Sequence, residues 1–394
     1  MTRLPGIGSA HSHAFQRALR GRTQTAAGDS FWSWRDLMYR FAERIDPEAI
    51  YDLSRLAYLE LARHGVTAVG EFHYVHHQPG GVPYDDRLEL ADAVIRAARD
   101  VGLRVTLLRV LYHRGGAGVP AAGAQLRFSD PTIELALGDV EALSARYRGD
   151  PAVRIGVAPH SVRAVPRSWL GAAAAYAETH ALPLHMHVAE QRRELAECME
   201  EYGVSPVRLL AEEAVLGPRF VAVHATHLDE EEQSALGRSQ AFACICRTTE
   251  RDLGDGAPNL QGLHAAGVRL CTGVDSHALS DPFEEARAME LDERTRTERR
   301  HAALDGPELR AALHDHGYEA LGFSPAELAG DRVELDDHDL SLAGTDGDGR
   351  YFGVSGRAVR ASSVAGAPVI EDGQHRDSPA IRGAFERALA RILE

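Results

Sequence analysis

The sequence predicts an α/β fold, a (β/α)8 barrel of the TIM type with a small, incomplete β-rich part near the C-terminus. Short apolar, β-branched runs alternate with longer amphipathic stretches, as in parallel strands joined by helices. Eight strand candidates follow this pattern, which is the number that a closed barrel requires. The rival interpretation is a doubly wound open sheet, but no GxGxxG motif follows any strand to support it.

The strand candidates can be located from their apolar runs. They end near Ala10, Phe72, Leu111, Pro159, Val188, Val223, Cys246 and Val274. Seven of these runs are almost continuously apolar, as expected for strands covered on both faces. The first run is short and rich in glycine, and we place a strand there because of the histidines that follow it.

Helical stretches lie between the strands, at 46–65, 86–102 and 166–180, and helical pattern continues from 281 to about 321. Gly65 and Gly102 stand where C-terminal helix caps belong. The predicted division of the chain is a barrel domain (1–323), a small β-rich subdomain (324–375) and a C-terminal amphipathic helix (376–394).

Composition excludes several kinds of chemistry. The 394 residues include no lysine, so neither a Schiff base nor a carbamylated lysine bridging two metals can form. The formal net charge of −15 argues against nucleic acid and anionic membranes as partners.

Cys244 and Cys246 could be soft metal ligands, but we predict that both are core residues. The cysteines form no CxxC pair, and signal-peptide and membrane-spanning patterns are missing from the sequence, so we expect a cytoplasmic location.

Polar residues gather just past the predicted strand ends, where a barrel of this type builds its active site. His11 and His13 are two residues apart, so on an extended chain both rings face the same side. Neutral imidazoles and an aspartate oxygen suit zinc. Further candidates follow later strands: Tyr74, His160, Arg163, His187, Glu190, His224 and Asp275.

Each signal has a plainer alternative. One His-x-His is more often an exposed polar turn, but a second one (His185 and His187) and the later His224 and Asp275 favour a metal site. His185 sits deeper in its strand, and we predict that it is packed there. Glu190 could also be a solvated first-turn glutamate, and Asp275 could be a helix N-cap.

Six sequence blocks carry a resemblance to a known family. They are HSHAFQRALRG (11–21), DSFWSWRDLMYRFA (29–42), TAVGEFHYVHH (67–77), HMHVAEQ (185–191), VHATH (223–227) and LGDG (253–256). With these blocks the chain resembles the deaminase branch of the amidohydrolase superfamily, and within it the formimidoylglutamate deiminases, from Leu4 to about Leu321.

The resemblance implies hydrolysis of a small molecule, N-formimino-L-glutamate, to N-formyl-L-glutamate and ammonia in histidine degradation. It implies one Zn²⁺, or Fe²⁺ or another divalent ion in its place, held by His11, His13, His187 and Asp275. Acid–base and electrostatic roles would fall to Glu190, His224 and Asp275. Substrate binding would fall to Gln16, Arg35, Tyr74, His160 and Arg163.

The chain departs from the family in two respects. Family members have an N-terminal segment that pairs with the C-terminal β-rich part, whereas this sequence starts almost at the first barrel strand. Residues 324–375 also diverge from the family, with an acidic loop around Asp346 and Asp348. Separately, Arg247 and Arg251 stand near the seventh strand end and could reshape the pocket. The alternatives left open are a deaminase of another amidine or of an aromatic base, and a catalytically silent relative that binds a metal or ligand. Arg35 and Arg163 argue against a neutral base, and a homodimer stays possible.

Overall fold

The computed structural model describes residues 2–24, 31–324 and 326–394, so the first two residues of the 29–42 block lie outside it. The strands are β1 (Thr2–Pro5), β2 (Ile7–Ser12), β3 (Val66–His73), β4 (Arg104–Leu111), β5 (Arg114–Gly116), β6 (Val119–Pro120), β7 (Val153–Pro159), β8 (Leu184–Val188), β9 (Phe220–His224), β10 (Phe242–Ile245), β11 (Arg269–Thr272), β12 (Arg332–Leu335), β13 (Val359–Val364) and β14 (Ala367–Ile370). The α-helices are α1 (Phe31–Arg44), α2 (Pro47–Arg63), α3 (Glu89–Val101), α4 (Ile133–Arg146), α5 (Arg167–Thr179), α6 (Arg192–Tyr202), α7 (Pro206–Glu212), α8 (Glu230–Arg238), α9 (Arg247–Leu253), α10 (Leu260–Ala265), α11 (Pro282–Thr297), α12 (Gly306–Ala320) and α13 (Ser378–Leu393).

Eight parallel strands form the predicted barrel. Their order in the sheet is β11-β10-β9-β8-β7-β4-β3-β2, which follows the chain from one edge to the other. A parallel bridge between Ser12 and Asp275 joins the two edge strands, and the Val274 amide donates to the His11 carbonyl at 3.0 Å. The barrel therefore closes where two of the predicted metal ligands lie.

Glycines explain why the first barrel strand is a weak pattern in the sequence. A Cβ on Gly8 would lie 2.7 Å from the carbonyl carbon of Gly317, and a Cβ on Gly317 would lie 2.4 Å from the Gly8 oxygen. The backbones of β2 and α12 therefore touch, and only glycine permits this approach. Close packing of the helix on the strand thus removes the apolar side chains by which a strand is usually recognised.

The helices begin and end at the signals seen in the sequence. The Asp46 side chain accepts the Ala49 amide proton at 2.7 Å and caps the start of α2. Gly65 and Gly102 have φ of 93° and 92°, the left-handed conformation that ends α2 and α3. Among the described residues, no helix is both long and apolar enough to cross a membrane.

A second sheet lies outside the barrel, with four antiparallel strands in the order β1-β12-β13-β14. Its edge strand β1 comes from residues 2–5, which the predicted division assigned to the barrel domain, and it pairs with β12 from Thr2↔Leu335 to Pro5↔Arg332. Residues 2–5 therefore add a strand to the small sheet, so β1 rather than β12 forms its edge. Helix α13 packs against α2 on the outside of the barrel.

Candidate active site

Four buried side chains converge at the C-terminal end of the barrel: His11, His13, His187 and Asp275. Nε2 of His11 lies 3.2 Å from Nε2 of His13 and 3.2 Å from Nε2 of His187. Oδ1 of Asp275 lies 3.4 Å from Nε2 of His11 and 3.2 Å from Nε2 of His13. Four ligands about 2.0–2.1 Å from a tetrahedral zinc ion are about 3.3–3.4 Å apart, so this set fits a divalent metal.

Backbone carbonyl groups orient two of these histidines. Nδ1 of His13 donates to the Phe72 carbonyl at 3.0 Å, and Nδ1 of His187 donates to the His160 carbonyl at 3.1 Å. Because Nδ1 carries the proton in both rings, Nε2 has a free lone pair that faces the cluster. The hydrogen bonds therefore fix the tautomer that a metal ligand needs.

The electrostatic environment favours the same protonation states. Burial lowers the pKa of His11 to about 3, and it also lowers the pKa of His13 and, by a larger amount, of His187. Burial by itself raises the pKa of Asp275, but the hydrogen bond and charge of His11 and the charge of His13 outweigh it and hold that pKa well below its ordinary value. Neutral imidazoles beside an ionised carboxylate are what metal binding requires.

His224 lies among three carboxylates. Its Nδ1 is 3.3 Å from Glu250 Oε1, and its Nε2 is 3.7 Å from Asp275 Oδ2 and 3.8 Å from Glu190 Oε1. Burial lowers the pKa of His224, but Glu190, Glu250 and Asp275 outweigh it and hold the pKa well above its ordinary value. Burial raises the pKa of Glu190. The pair therefore places an imidazole whose protonated form its neighbours favour beside a carboxyl group whose protonated form burial favours.

The backbone around these groups is strained. His224 has φ of 71° and Asp275 has φ of 49°, a left-handed region that residues other than glycine seldom adopt. Each conformation turns the chain sharply as it leaves a barrel strand. Strain of this kind collects where the surrounding structure fixes a functional side chain.

Glu250 is a member of this cluster that sequence analysis missed. It is fully buried and accepts the Cys246 amide proton at 2.9 Å and a proton from Nη1 of Arg247 at 2.6 Å. Arg247 in turn pairs with Asp292 at 2.6 Å. The only signal in the sequence was the place of Glu250 shortly after the seventh strand, where glutamate is also an ordinary helix residue.

A cleft opens beside the ligand cluster, with an empty volume of about 550 Å³ that includes the solvent space at its mouth. The predicted substrate-binding residues all line it, together with His13, His187, Glu190, His224 and Asp275. Aromatic side chains that the sequence did not single out form much of the wall: Phe31, Trp34, Tyr39, Tyr112 and Phe128. Phe31, Trp34 and Tyr39 come from α1, whereas Tyr112 follows β4 and Phe128 lies in the segment after β6, so no single spacing connects all five in the sequence.

Two guanidinium groups face this cavity. Nη1 of Arg163 and Nε of Arg35 are buried and have no hydrogen-bond partner among the described residues. The Arg35 guanidinium stacks over Trp32 at 4.4 Å, and the Tyr112 hydroxyl lies beside Arg163. Buried donors without partners are costly, so both groups are arranged for a ligand with complementary acceptors.

Gln16, Tyr74 and His160 lie on the same cavity. Nε2 of Gln16 donates to the Tyr74 hydroxyl at 2.7 Å, and its buried Oε1 has no hydrogen-bond partner among the residues that the structure describes. Burial and the charge of Arg163 hold the pKa of His160 well below its ordinary value, so its ring is neutral. These groups offer both donors and acceptors to a polar ligand.

Two further predictions have different outcomes. The prediction that Arg247 and Arg251 reshape the pocket is wrong for the described residues, because both side chains pair with Asp292 and neither lines the cavity. His185 is buried in β8 with Nε2 2.8 Å from the Ala320 carbonyl, as expected for a packed histidine.

Comparison with known sequences connects this site to characterised proteins. The sequence profile of the amidohydrolase family matches residues 2–322. Formimidoylglutamate deiminase from Pseudomonas aeruginosa is 38% identical over 99% of this chain and 89% of its own length. The 8-oxoguanine deaminase of the same species is 30% identical over 71% of this chain and 60% of its own length.

Solved structures show the same architecture. An amidohydrolase from Brucella melitensis superposes with a TM-score of 0.92 and 33% identity, covering 100% of this chain and 90% of that one. An adenosine deaminase from Xanthomonas campestris with bound zinc has a TM-score of 0.84 and 23% identity, covering 99% of this chain and 86% of that one. At 23% identity the second likeness concerns the fold alone.

Proposed function

The chain belongs to the amidohydrolase family, and we propose that it hydrolyses N-formimino-L-glutamate to N-formyl-L-glutamate and ammonia, a step of histidine degradation. Its homologues include deiminases and deaminases, which are hydrolases that act on C–N bonds. The observation that carries the choice of substrate is the pair of guanidinium groups in the cavity, Arg35 and Arg163, each of which has one buried nitrogen without a hydrogen-bond partner among the described residues.

The proposed cofactor is one zinc ion. The tetrahedral spacing of His11, His13, His187 and Asp275 supports it, and so do the neutral rings and ionised carboxylate. When bound there, zinc would supply Lewis-acid activation of water for attack at the formimino carbon.

The two arginines would bind the two carboxylates of the substrate. A guanidinium matches a carboxylate in bidentate geometry, which lysine, absent from this chain, does not do. A neutral aromatic base would offer neither guanidinium group an anionic partner, whereas a dicarboxylate offers one to each. The site thus favours a dianionic substrate over the purine substrate of the 8-oxoguanine deaminase.

The remaining groups would move protons and stabilise charge. Water adds to the formimino carbon, its oxygen becomes the formyl oxygen, and the bond to the terminal nitrogen breaks to release ammonia. Asp275 would take a proton from the attacking water, and Glu190 would deliver a proton to the departing nitrogen. His224, held protonated by its carboxylates, would stabilise the tetrahedral intermediate at the oxygen that water contributes.

An ammonia-release assay tests this proposal. The purified protein, loaded with zinc and with its metal content measured, is offered N-formimino-L-glutamate, N-formimino-L-aspartate and 8-oxoguanine. We expect fast release from the first, slower release from the shorter diacid, and none from the purine. A faster reaction with the purine would contradict the substrate assignment, and bound zinc without ammonia from any amidine would favour a catalytically silent protein.

A further inference from the structure

Three neighbouring barrel strands end in side chains that can bind metal. His224 is the last residue of β9, Cys246 directly follows β10, and Asp275 lies just beyond β11. All three are buried, and their ligand atoms lie within 4.8 Å of one another. Of these residues, the ligand cluster described above uses only Asp275.

The Asp275 carboxylate faces both groups of ligands, with a different oxygen toward each. Oδ1 lies 3.4 Å from Nε2 of His11 and 3.2 Å from Nε2 of His13, whereas Oδ2 lies 3.7 Å from Nε2 of His224. A carboxylate in this orientation can bridge two cations with one oxygen for each. A second ion could therefore bind beside the first without taking its ligand away.

The ligand atoms of His224 and Cys246 make no short contacts with the described residues. Nε2 of His224 approaches carboxylate oxygens only at 3.7 and 3.8 Å, beyond hydrogen-bond distance. The Cys246 thiol has only long contacts, to Cys244 Sγ at 4.0 Å and the Cys244 carbonyl at 3.9 Å. Imidazole nitrogen, thiolate sulfur and carboxylate oxygen together are a donor set that zinc and cobalt accept.

The surrounding charge also favours a cation. Glu190, Glu250 and Asp275 all lie within 3.8 Å of the His224 ring nitrogens. Arg247 neutralises Glu250 from the far side, at 2.6 Å. The Asp275 carboxylate has no arginine partner among the described residues, so the negative charge at its outer oxygen can attract an ion.

We propose that His224, Cys246 and Asp275 form a second divalent-metal site beside the first, and that an ion bound there inhibits the enzyme. On binding, the Cys246 thiol and Nε2 of the protonated His224 ring each release a proton to solvent, so the sulfur binds as a thiolate and Nε2 through its lone pair, while Nδ1 keeps its proton toward Glu250. The ion would take up Nε2 of His224 and lie near Glu190, which removes two groups from catalysis. The binding claim is independent of the proposed reaction, and only the inhibition rests on it.

Cobalt titration of the metal-free protein tests the binding claim directly. The first equivalent should bind at His11, His13, His187 and Asp275, and should give no thiolate-to-cobalt charge-transfer band. A second equivalent should bind and produce that band in the near ultraviolet, because Cys246 is then a ligand. Equilibrium dialysis counts the bound ions, and the absence of a second ion or of the band would overturn the proposal.

Cysteine variants locate the site. Two variants, Cys246→Ala and the nearly isosteric Cys246→Ser, should each bind one ion and show no charge-transfer band. Cys271 is a buried cysteine of β11 outside the proposed site, so the control variant Cys271→Ala should bind two ions and show the band like the parent protein. A second ion in both Cys246 variants, or its loss in the Cys271 variant, would overturn the assignment.

Activity measures the inhibition separately. A second equivalent of zinc should lower ammonia release by at least about 10-fold in the parent protein, because loss of an acid–base or charge-stabilising group costs about 10²–10⁴. The Cys246 variants should keep their activity at the same zinc concentration. If N-formimino-L-glutamate is not a substrate, the proposed reaction is refuted. The number of bound ions and the charge-transfer band still test whether the second metal site exists.

Discussion

Replacement of Arg163 by methionine tests how the site recognises its substrate. Methionine keeps much of the side-chain length but removes the guanidinium that faces the cavity. Nη1 of Arg163 is buried and has no hydrogen-bond partner in the described part of the chain, so the protein already shields it from solvent without a substrate carboxylate. Loss of this group should therefore remove nearly the full strength of its contact with a carboxylate.

The magnitude follows from the number of hydrogen bonds. A hydrogen bond to a charged group contributes about 1.5–3 kcal/mol, so two bonds from one guanidinium, partly offset by water in the variant, amount to about 3 kcal/mol. This corresponds to a decrease in kcat/KM of about 150-fold. Most of the change should appear in KM, because the carboxylate contact is the same in the ground state and the transition state.

Stability should change in the opposite direction. A buried donor without a partner costs about 1–3 kcal/mol, so we expect the free energy of unfolding of Arg163→Met to rise by about 1 kcal/mol in urea titration. Arg167→Met is a matched control four residues away. Arg167 is 41% exposed and pairs with Glu212 and Glu213, so its loss should change kcat/KM by less than about 2-fold.

Truncated substrates separate a carboxylate contact from general damage. One analogue, 4-(formimidoylamino)butanoate, lacks the α-carboxylate, and another, N-formimino-2-aminobutyrate, lacks the side-chain carboxylate. For whichever analogue lacks the carboxylate that Arg163 binds, parent and variant should be nearly equal. The reasoning is refuted if both analogues lose as much activity in the variant as the full substrate does, or if the variant is destabilised.

Replacement of Glu190 by glutamine should lower kcat about 10²–10⁴-fold with the zinc content by atomic emission unchanged, because the proton donor is lost. Replacement of Glu250 by glutamine removes the charge beside His224 and should lower kcat about 10–100-fold at unchanged KM and zinc content. Burial raises the pKa of Glu60, but Arg17 and Arg20 outweigh it and lower that pKa to about 2, from an ordinary 4.5. Since the folded-state pKa is the lower one, Glu60 stabilises the protein above pH 4.5 by on the order of 2–3 kcal/mol, and this is lost as the pH falls toward 2. Urea unfolding of Glu60→Gln should therefore show a smaller loss of stability in acid. Full activity of the Glu190 variant would contradict its role as proton donor, and loss of zinc from the Glu250 variant would contradict a role limited to His224. The role of Glu60 would be contradicted if the free energies of unfolding of parent and variant decreased equally as the pH falls.

The barrel was predictable because its strands carry strong local patterns. Runs such as Val66–His73 and Arg104–Leu111 are buried along their whole length, so the sequence shows them as continuous apolar segments. The cluster of His11, His187 and Asp275 was predictable because each residue stands at a strand end, and parallel strands bring those ends together.

Other features depend on contacts between distant parts of the chain. Pairing of residues 2–5 with Arg332–Leu335 was not predicted, because an edge strand of four residues has little pattern of its own. Glu250 was missed because its contact with His224 arises from the turn after β10. The assignment of Arg247 to the pocket was wrong because its side chain forms an ion pair with Asp292. The position of Arg247 near a strand end does not reveal this contact with a residue 45 positions away.

The central claim is that the terminal C–N bond of N-formimino-L-glutamate is broken, and the products formed in ¹⁸O-labelled water test it most directly. Mass spectrometry of the reaction of the zinc-loaded protein should find N-formyl-L-glutamate with one ¹⁸O in the formyl group, together with one ammonia for each molecule formed. Glutamate and formamide would show that the other C–N bond is broken, and unchanged substrate would show that the protein does not catalyse this reaction; either result would contradict the account.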